Sequence, residues 1–152
     1  MPSRELRLIA NARGALRLEP RERARALRAL GWLIAADAMV RLVPYATLTR
    51  RMARLSISRS PSARMTPAEC AVAIRRAAAT WPMARCLPRA VAGYCLLKRA
   101  GLRPTVNVGV AVAVDDRRLD AHAWLECDGV TVTGGDVAPQ YVRLTPDGRP
   151  FA

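Results

Sequence analysis

Two hydrophobic periods divide the chain. From Pro20 onward, Ala24, Leu27, Leu30, Ile34 and Ala38 recur at the spacing of one helical face. Pro20 suits a first turn and Pro44 ends the run, so a helix is predicted over residues 20–43. Its other face carries Arg21, Arg25 and Arg28 early but Trp32 and Met39 later. A helix that becomes apolar all round is buried or docked on a partner. A second short helix is predicted from Ala46 to Leu55, and residues 56–62, Ser-Ile-Ser-Arg-Ser-Pro-Ser, read as a linker. Thr66-Pro67-Ala68-Glu69 then opens a third helix, with Thr66 as N-cap, Pro67 at the first position and Glu69 closing a capping box. It should run to about Thr80, short of Pro82.

Pro88 must lie in the first turn of the next helix, because deeper it would cost ~3 kcal/mol. Cys86 therefore falls at or beside that helix's N-terminus, and Gly101 stops the helix. From there the period changes to two. Thr105 to Val114 reads as a strand, Asp115-Asp116-Arg117-Arg118 as a turn, and Ala121-His122-Ala123-Trp124-Leu125-Glu126 as the returning strand. Asp128-Gly129 makes a tight turn into Val130-Thr131-Val132-Thr133. Residues 1–19 alternate Arg with Leu, Ile and Ala, and fit either a short strand or a frayed segment. Helices followed by antiparallel strands define an α+β fold, with a helical region over 1–60 and a second part over 61–152.

Composition narrows this picture only a little. The chain has 152 residues, enough for one domain with a real core, and 51% of them are hydrophobic. The formal net charge is +13, and every basic residue but Lys98 is arginine. The arginines suit anionic partners, although codon usage in a GC-rich genome explains the same bias. No aromatic stacking platform or recognition-helix motif accompanies the charge, which argues against a nucleic-acid binder. The longest apolar run, Ala29 to Val40, contains Asp37 and is too short to span a bilayer. With no signal-like N-terminus and four cysteines outside any CxxC pair, the expectation is a cytoplasmic protein with reduced thiols and no zinc site.

His122 is the only histidine in the chain, and histidine is the side chain whose charge changes near neutral pH. Cys86 is the cysteine placed to work with it. At a helix N-terminus it faces unsatisfied backbone N–H groups and the positive end of the helix dipole, which stabilise a thiolate and can hold an oxyanion. A strand histidine can take the thiol proton, and a carboxylate beyond that strand can orient the imidazole. Asp136, just past the partner strand, is the first choice for that acid. Glu126 and Asp120 share the face parity of His122 and rank second and third. Asp128 is explained by its turn. Cys70 and Cys95 read as buried small hydrophobes, and Cys127 lies beside a turn expected to be exposed.

Residues 85–144 resemble the transglutaminase-like cysteine peptidase of lasso-peptide biosynthesis. The resemblance rests on Arg85-Cys86-Leu87-Pro88-Arg89-Ala90, Leu96-Leu97-Lys98-Arg99-Ala100-Gly101-Leu102, Val108-Gly109-Val110, Ala121-His122-Ala123-Trp124-Leu125-Glu126, Asp128-Gly129 and Gly134-Gly135-Asp136. It implies a leader peptidase of the split type, with Cys86, His122 and Asp136 as a triad and neither metal nor organic cofactor. It also implies a precursor-peptide substrate, a separate leader-recognition (PqqD-like) protein and an ATP-dependent macrolactam cyclase as partners. Many relatives carry the acid within an Asn-Asp pair at places that here hold Thr133 and Gly134. Two alternatives accompany this reading: a non-catalytic module of the same fold that binds the precursor or partner proteins, and acyl transfer to an amine instead of water. The first helix, through Trp32, Leu33, Met39, Leu42 and Val43, is expected either to dock a partner or to be covered by the second helix folding back.

Overall fold

The computed structural model describes residues 19–55, 64–112, 119–136 and 138–144. The N-terminal segment 1–18, the linker and the Asp115–Arg118 turn lie outside them. Four helices precede a four-stranded antiparallel sheet: α1 (Pro20–Leu42), α2 (Tyr45–Ala53), α3 (Pro67–Thr80), α4 (Cys86–Arg99), β1 (Thr105–Val112), β2 (Leu119–Cys127), β3 (Val130–Thr133) and β4 (Val142–Arg143). The sheet order is β3-β2-β1-β4. This is the expected α+β architecture, with a short 3-10 turn (Ala138–Gln140) and β4 added beyond it. Among the described residues, no helix is long and apolar enough to cross a membrane.

The helix boundaries follow their end chemistry. Thr66 Oγ1 accepts from the Glu69 N–H, and the Glu69 carboxylate accepts from the Thr66 N–H at 2.9 Å, so the capping box is complete. Asp128 and Gly129 both have positive φ, 50° and 74°, as a two-residue hairpin turn matched to strand twist requires. A shift of register between Leu125 and Glu126 then bends the β2–β3 pairing.

α1 packs across α3 and α4, burying Ala29, Leu33 and Ala36. Trp32 and Met39 are also partly buried against the core, and α1 packs chiefly on α3 and α4, so the second helix folding back is not its main cover. The large apolar side chains that α1 leaves exposed are Leu27, Ile34 and Leu42; of the stripe Ala24, Leu27, Leu30, Ile34 and Ala38, only Leu30 packs against the core, because the helix turns Ala29, Leu33 and Ala36 inward instead. Asp37 interrupts the apolar run for a reason visible only in three dimensions. Its buried carboxylate accepts from Trp81 Nε1 at 3.1 Å and from Arg41 on the next turn, joining α1 to the end of α3. α4 lies against β2, where Leu125 is wholly buried. Core packing thus joins α4, which carries Cys86, to β2, which carries His122.

Candidate active site

Cys86 is the first residue of α4 and half-buried. Pro88 occupies the third position, where its missing N–H costs nothing. Among the described residues no side chain caps this helix, which leaves its first-turn N–H groups open to a negative group. The other cysteines are different. Burial pushes the thiols of Cys70 and Cys95 up to about 12. Cys127 lies beside the hairpin turn, which is exposed as expected, but is itself only 2% exposed, and burial raises its thiol too. All four thiols are free.

His122 stands in mid-β2, paired in register with Gly109 of β1. Its ring stacks over Trp124, two residues on, with centroids 6.2 Å apart. Trp124 is itself fixed: Nε1 donates to Glu126 at 2.8 Å, and the Arg143 guanidinium lies 5.4 Å from the ring centroid while bonding the same carboxylate at 2.9 Å. Glu126 is therefore committed to Trp124 and Arg143. The Tyr141 ring also sits close, 5.0 Å from the imidazole. The Tyr141 hydroxyl donates to Asp120 at 2.6 Å. That bond first, then burial and the negative charges of Asp120 and Cys86, raise the Tyr141 phenol above its ordinary value. Tyr141 thus touches His122 and lies within electrostatic reach of Cys86. Among the described residues no hydrogen bond joins Cys86 to His122 directly; catalytic contacts of this kind commonly tighten only when substrate binds.

The orienting partner of His122 is a main-chain group. Nε2 lies 2.9 Å from the Gly134 carbonyl oxygen. A carbonyl only accepts, so Nε2 carries the proton and Nδ1 of the neutral ring is left as the base. Gly134 has φ +73°, and a Cβ there would stand 2.9 Å from His122 Nε2 and 2.9 Å from the Ala123 carbonyl. Glycine is what lets the chain turn this close to the imidazole. Asp136 lies two residues further, exposed, on the wall of an open cleft of about 980 Å³ that also takes in Arg75, Arg89, Thr133 and Gly135. Among the described residues it makes no hydrogen bond to His122. The main-chain acceptor and Tyr141 were not legible beforehand. A carbonyl has no residue signature, and Tyr141 sits in the aperiodic run Pro139-Gln140-Tyr141. Among the described residues no cluster of three or more His, Cys, Asp or Glu side chains is placed to hold a metal.

A thiol at a helix start thus precedes a histidine on an antiparallel strand of an α+β domain, the two side-chain types that thiol acyl transfer requires. A family model described as the transglutaminase-like superfamily matches residues 30–146, and the chain belongs to that superfamily. The match begins within α1, so it takes in the later part of α1 and all of α2. None of the curated proteins and none of the solved structures compared with the chain matches it significantly.

Proposed function

We propose that this protein is a cysteine endopeptidase that removes the leader from a lasso-peptide precursor. The observation carrying the proposal is Cys86 at the N-terminus of α4 in a transglutaminase-like domain whose sole histidine engages Gly134 through Nε2, leaving Nδ1 without a hydrogen-bond partner among the described residues. The leader-peptidase specificity rests on the resemblance of the Cys86 and His122 motifs.

In the proposed reaction, His122 Nδ1 takes the Cys86 thiol proton as Sγ adds to the scissile carbonyl carbon. First-turn N–H groups of α4 stabilise the resulting oxyanion. The C–N bond breaks, the imidazolium gives its proton to the leaving amine, and the acyl group remains as a thioester. Water, deprotonated by His122, then adds to the thioester and releases Cys86. Gly134 holds Nε2–H throughout. Asp136, two residues past Gly134 on the cleft wall, has at most a supporting part. The substrate is the precursor peptide, presented by a leader-recognition protein and passed on to an ATP-dependent cyclase.

The missing Cys86–His122 hydrogen bond favours a second reading, a non-catalytic transglutaminase-like module that binds the precursor or partner proteins. Mass spectrometry of the native precursor, incubated with this protein and its leader-recognition partner, separates the two. Cleavage that disappears in both Cys86→Ala and His122→Ala supports the peptidase. An intact precursor that still co-purifies with the protein supports the binding module.

A further inference from the structure

We infer that Asp120 and Tyr141 form a positioning pair for His122, so that a carboxylate acts on the imidazole through a phenol instead of touching it. The inference builds on the reading of His122 as the proton carrier. Three independent features converge on it.

The first is the contact itself. The Tyr141 ring lies 5.0 Å from the imidazole with ring planes tilted by 31°, against 6.2 Å and 14° for the Trp124 stack. Two aromatic rings thus contact a third. The second is the anchor. Tyr141 follows the short 3-10 turn and would be free to swing, but its hydroxyl is tied to Asp120 at 2.6 Å, the short distance typical of a bond to an ionised oxygen. Asp120 and His122 both belong to β2, so the tyrosine is fastened to the strand that carries the histidine.

The third feature is Gly109. It is the register partner of His122 on β1, and a Cβ there would meet Tyr141 Cβ at 2.8 Å, Trp124 Cζ3 at 3.0 Å and the Val142 carbonyl at 3.0 Å. The space that a side chain at 109 would fill is taken by Tyr141 Cβ and the Trp124 ring, the two aromatic neighbours of His122. The glycine within Val108-Gly109-Val110 thereby acquires a role: it lets Tyr141 cross β1 and reach the imidazole.

Together with the Gly134 carbonyl on Nε2, the pair completes the restraint of His122. The carbonyl sets the tautomer. The rings set the plane, and Asp120 sets the position of the outer ring. Tyr141 is a positioning residue, because its hydroxyl proton already goes to Asp120 and is not offered to substrate.

Because His122 is the only histidine, its imidazole gives an unambiguous NMR signature in the full-length protein. The experiment compares Tyr141→Phe, Tyr141→Ala, Asp120→Asn and Asp136→Asn with wild type by imidazole nitrogen and ring-proton shifts, and by kcat and KM on the precursor. Wild type should show the Nε2–H tautomer. Tyr141→Ala should lose the ring-current shift, mix the tautomers and lower kcat by about 100-fold, the scale of a misplaced catalytic group, with KM little changed. Tyr141→Phe and Asp120→Asn keep the ring but weaken its anchor; each should lower kcat by about tenfold, the scale of one hydrogen bond. Asp136→Asn should leave the imidazole spectrum alone.

If Tyr141→Phe and Asp120→Asn both retain the wild-type imidazole spectrum and kcat, the inference is overturned. Those two variants also decide the matter if Tyr141→Ala fails to fold. If the protein cleaves no peptide at all, the peptidase reading fails, while the NMR comparison still tests the pair.

Discussion

Gly134→Ala tests the geometry of the histidine most directly. The new methyl group would stand 2.9 Å from the Ala123 carbonyl oxygen, 2.9 Å from His122 Nε2 and 3.1 Å from Trp124 Cβ. Two of these neighbours belong to paired strand or to a clamped tryptophan and cannot give way. The imidazole can. Restoring an ordinary non-bonded separation of about 3.5 Å asks His122 to retreat by roughly 0.5–1 Å. It would also stretch the bond to the Gly134 carbonyl that holds the tautomer. A catalytic group displaced by about 1 Å costs on the order of 100-fold in rate, so kcat should fall by about 10- to 100-fold.

The backbone contributes separately. A non-glycine residue in the left-handed region costs about 1–2 kcal/mol, partly offset by about 0.4–1 kcal/mol from a stiffer unfolded chain. Gly129→Ala isolates that part, because Gly129 has φ +74° and nothing within 4 Å of a Cβ. For a chain of this size each kcal/mol moves Tm by about 2–4 °C, so both variants should melt a few degrees below wild type. Precursor cleavage followed by mass spectrometry, alongside thermal melts, separates the effects. Gly134→Ala cleaving as fast as Gly129→Ala would refute the crowding of His122.

Alkylation mapped by peptide should label Cys86 first, leaving Cys70 and Cys95, with thiols near 12, and the buried Cys127 unreacted at neutral pH; prior labelling of Cys127 would contradict this. The Thr66 N–H is the main influence holding the Glu69 carboxyl below its ordinary value of 4.5, so the capping box stabilises the fold above that range and loses its contribution as pH falls through the lowered value. The gap in Tm between wild type and Glu69→Gln should therefore close on acidification, and a gap that widens would reverse the assignment. Asp37→Ala should lower stability by about 1–3 kcal/mol in urea melts by stranding the Trp81 N–H, and an unchanged midpoint would show that water takes over that bond.

Much of the architecture was legible from local chemistry. The capping box, the proline at the start of α4 and the Asp-Gly turn are each settled by nearest neighbours, so their elements fall where propensity and sterics put them. Cys86 was legible for the same reason: one proline fixes its place on the helix. His122 was legible because period-two alternation puts it on a strand.

What surrounds these residues depends on contacts distant in sequence. Burial of Cys127 beside its turn, and of Trp32 and Met39 on α1, follows from how helices and sheet pack, which a one-dimensional pattern cannot state. Strand parity placed Glu126 and Asp120 on the face of His122, yet parity says nothing about a third strand. Arg143 claims Glu126 and Tyr141 claims Asp120 only because β4 returns beside β1. The acceptor on His122 is a backbone carbonyl exposed by a glycine turn, and no side chain records it. Local sterics thus determine where the thiol and the imidazole sit along the chain, whereas the partners that aim the imidazole exist only once the strands have closed into a sheet.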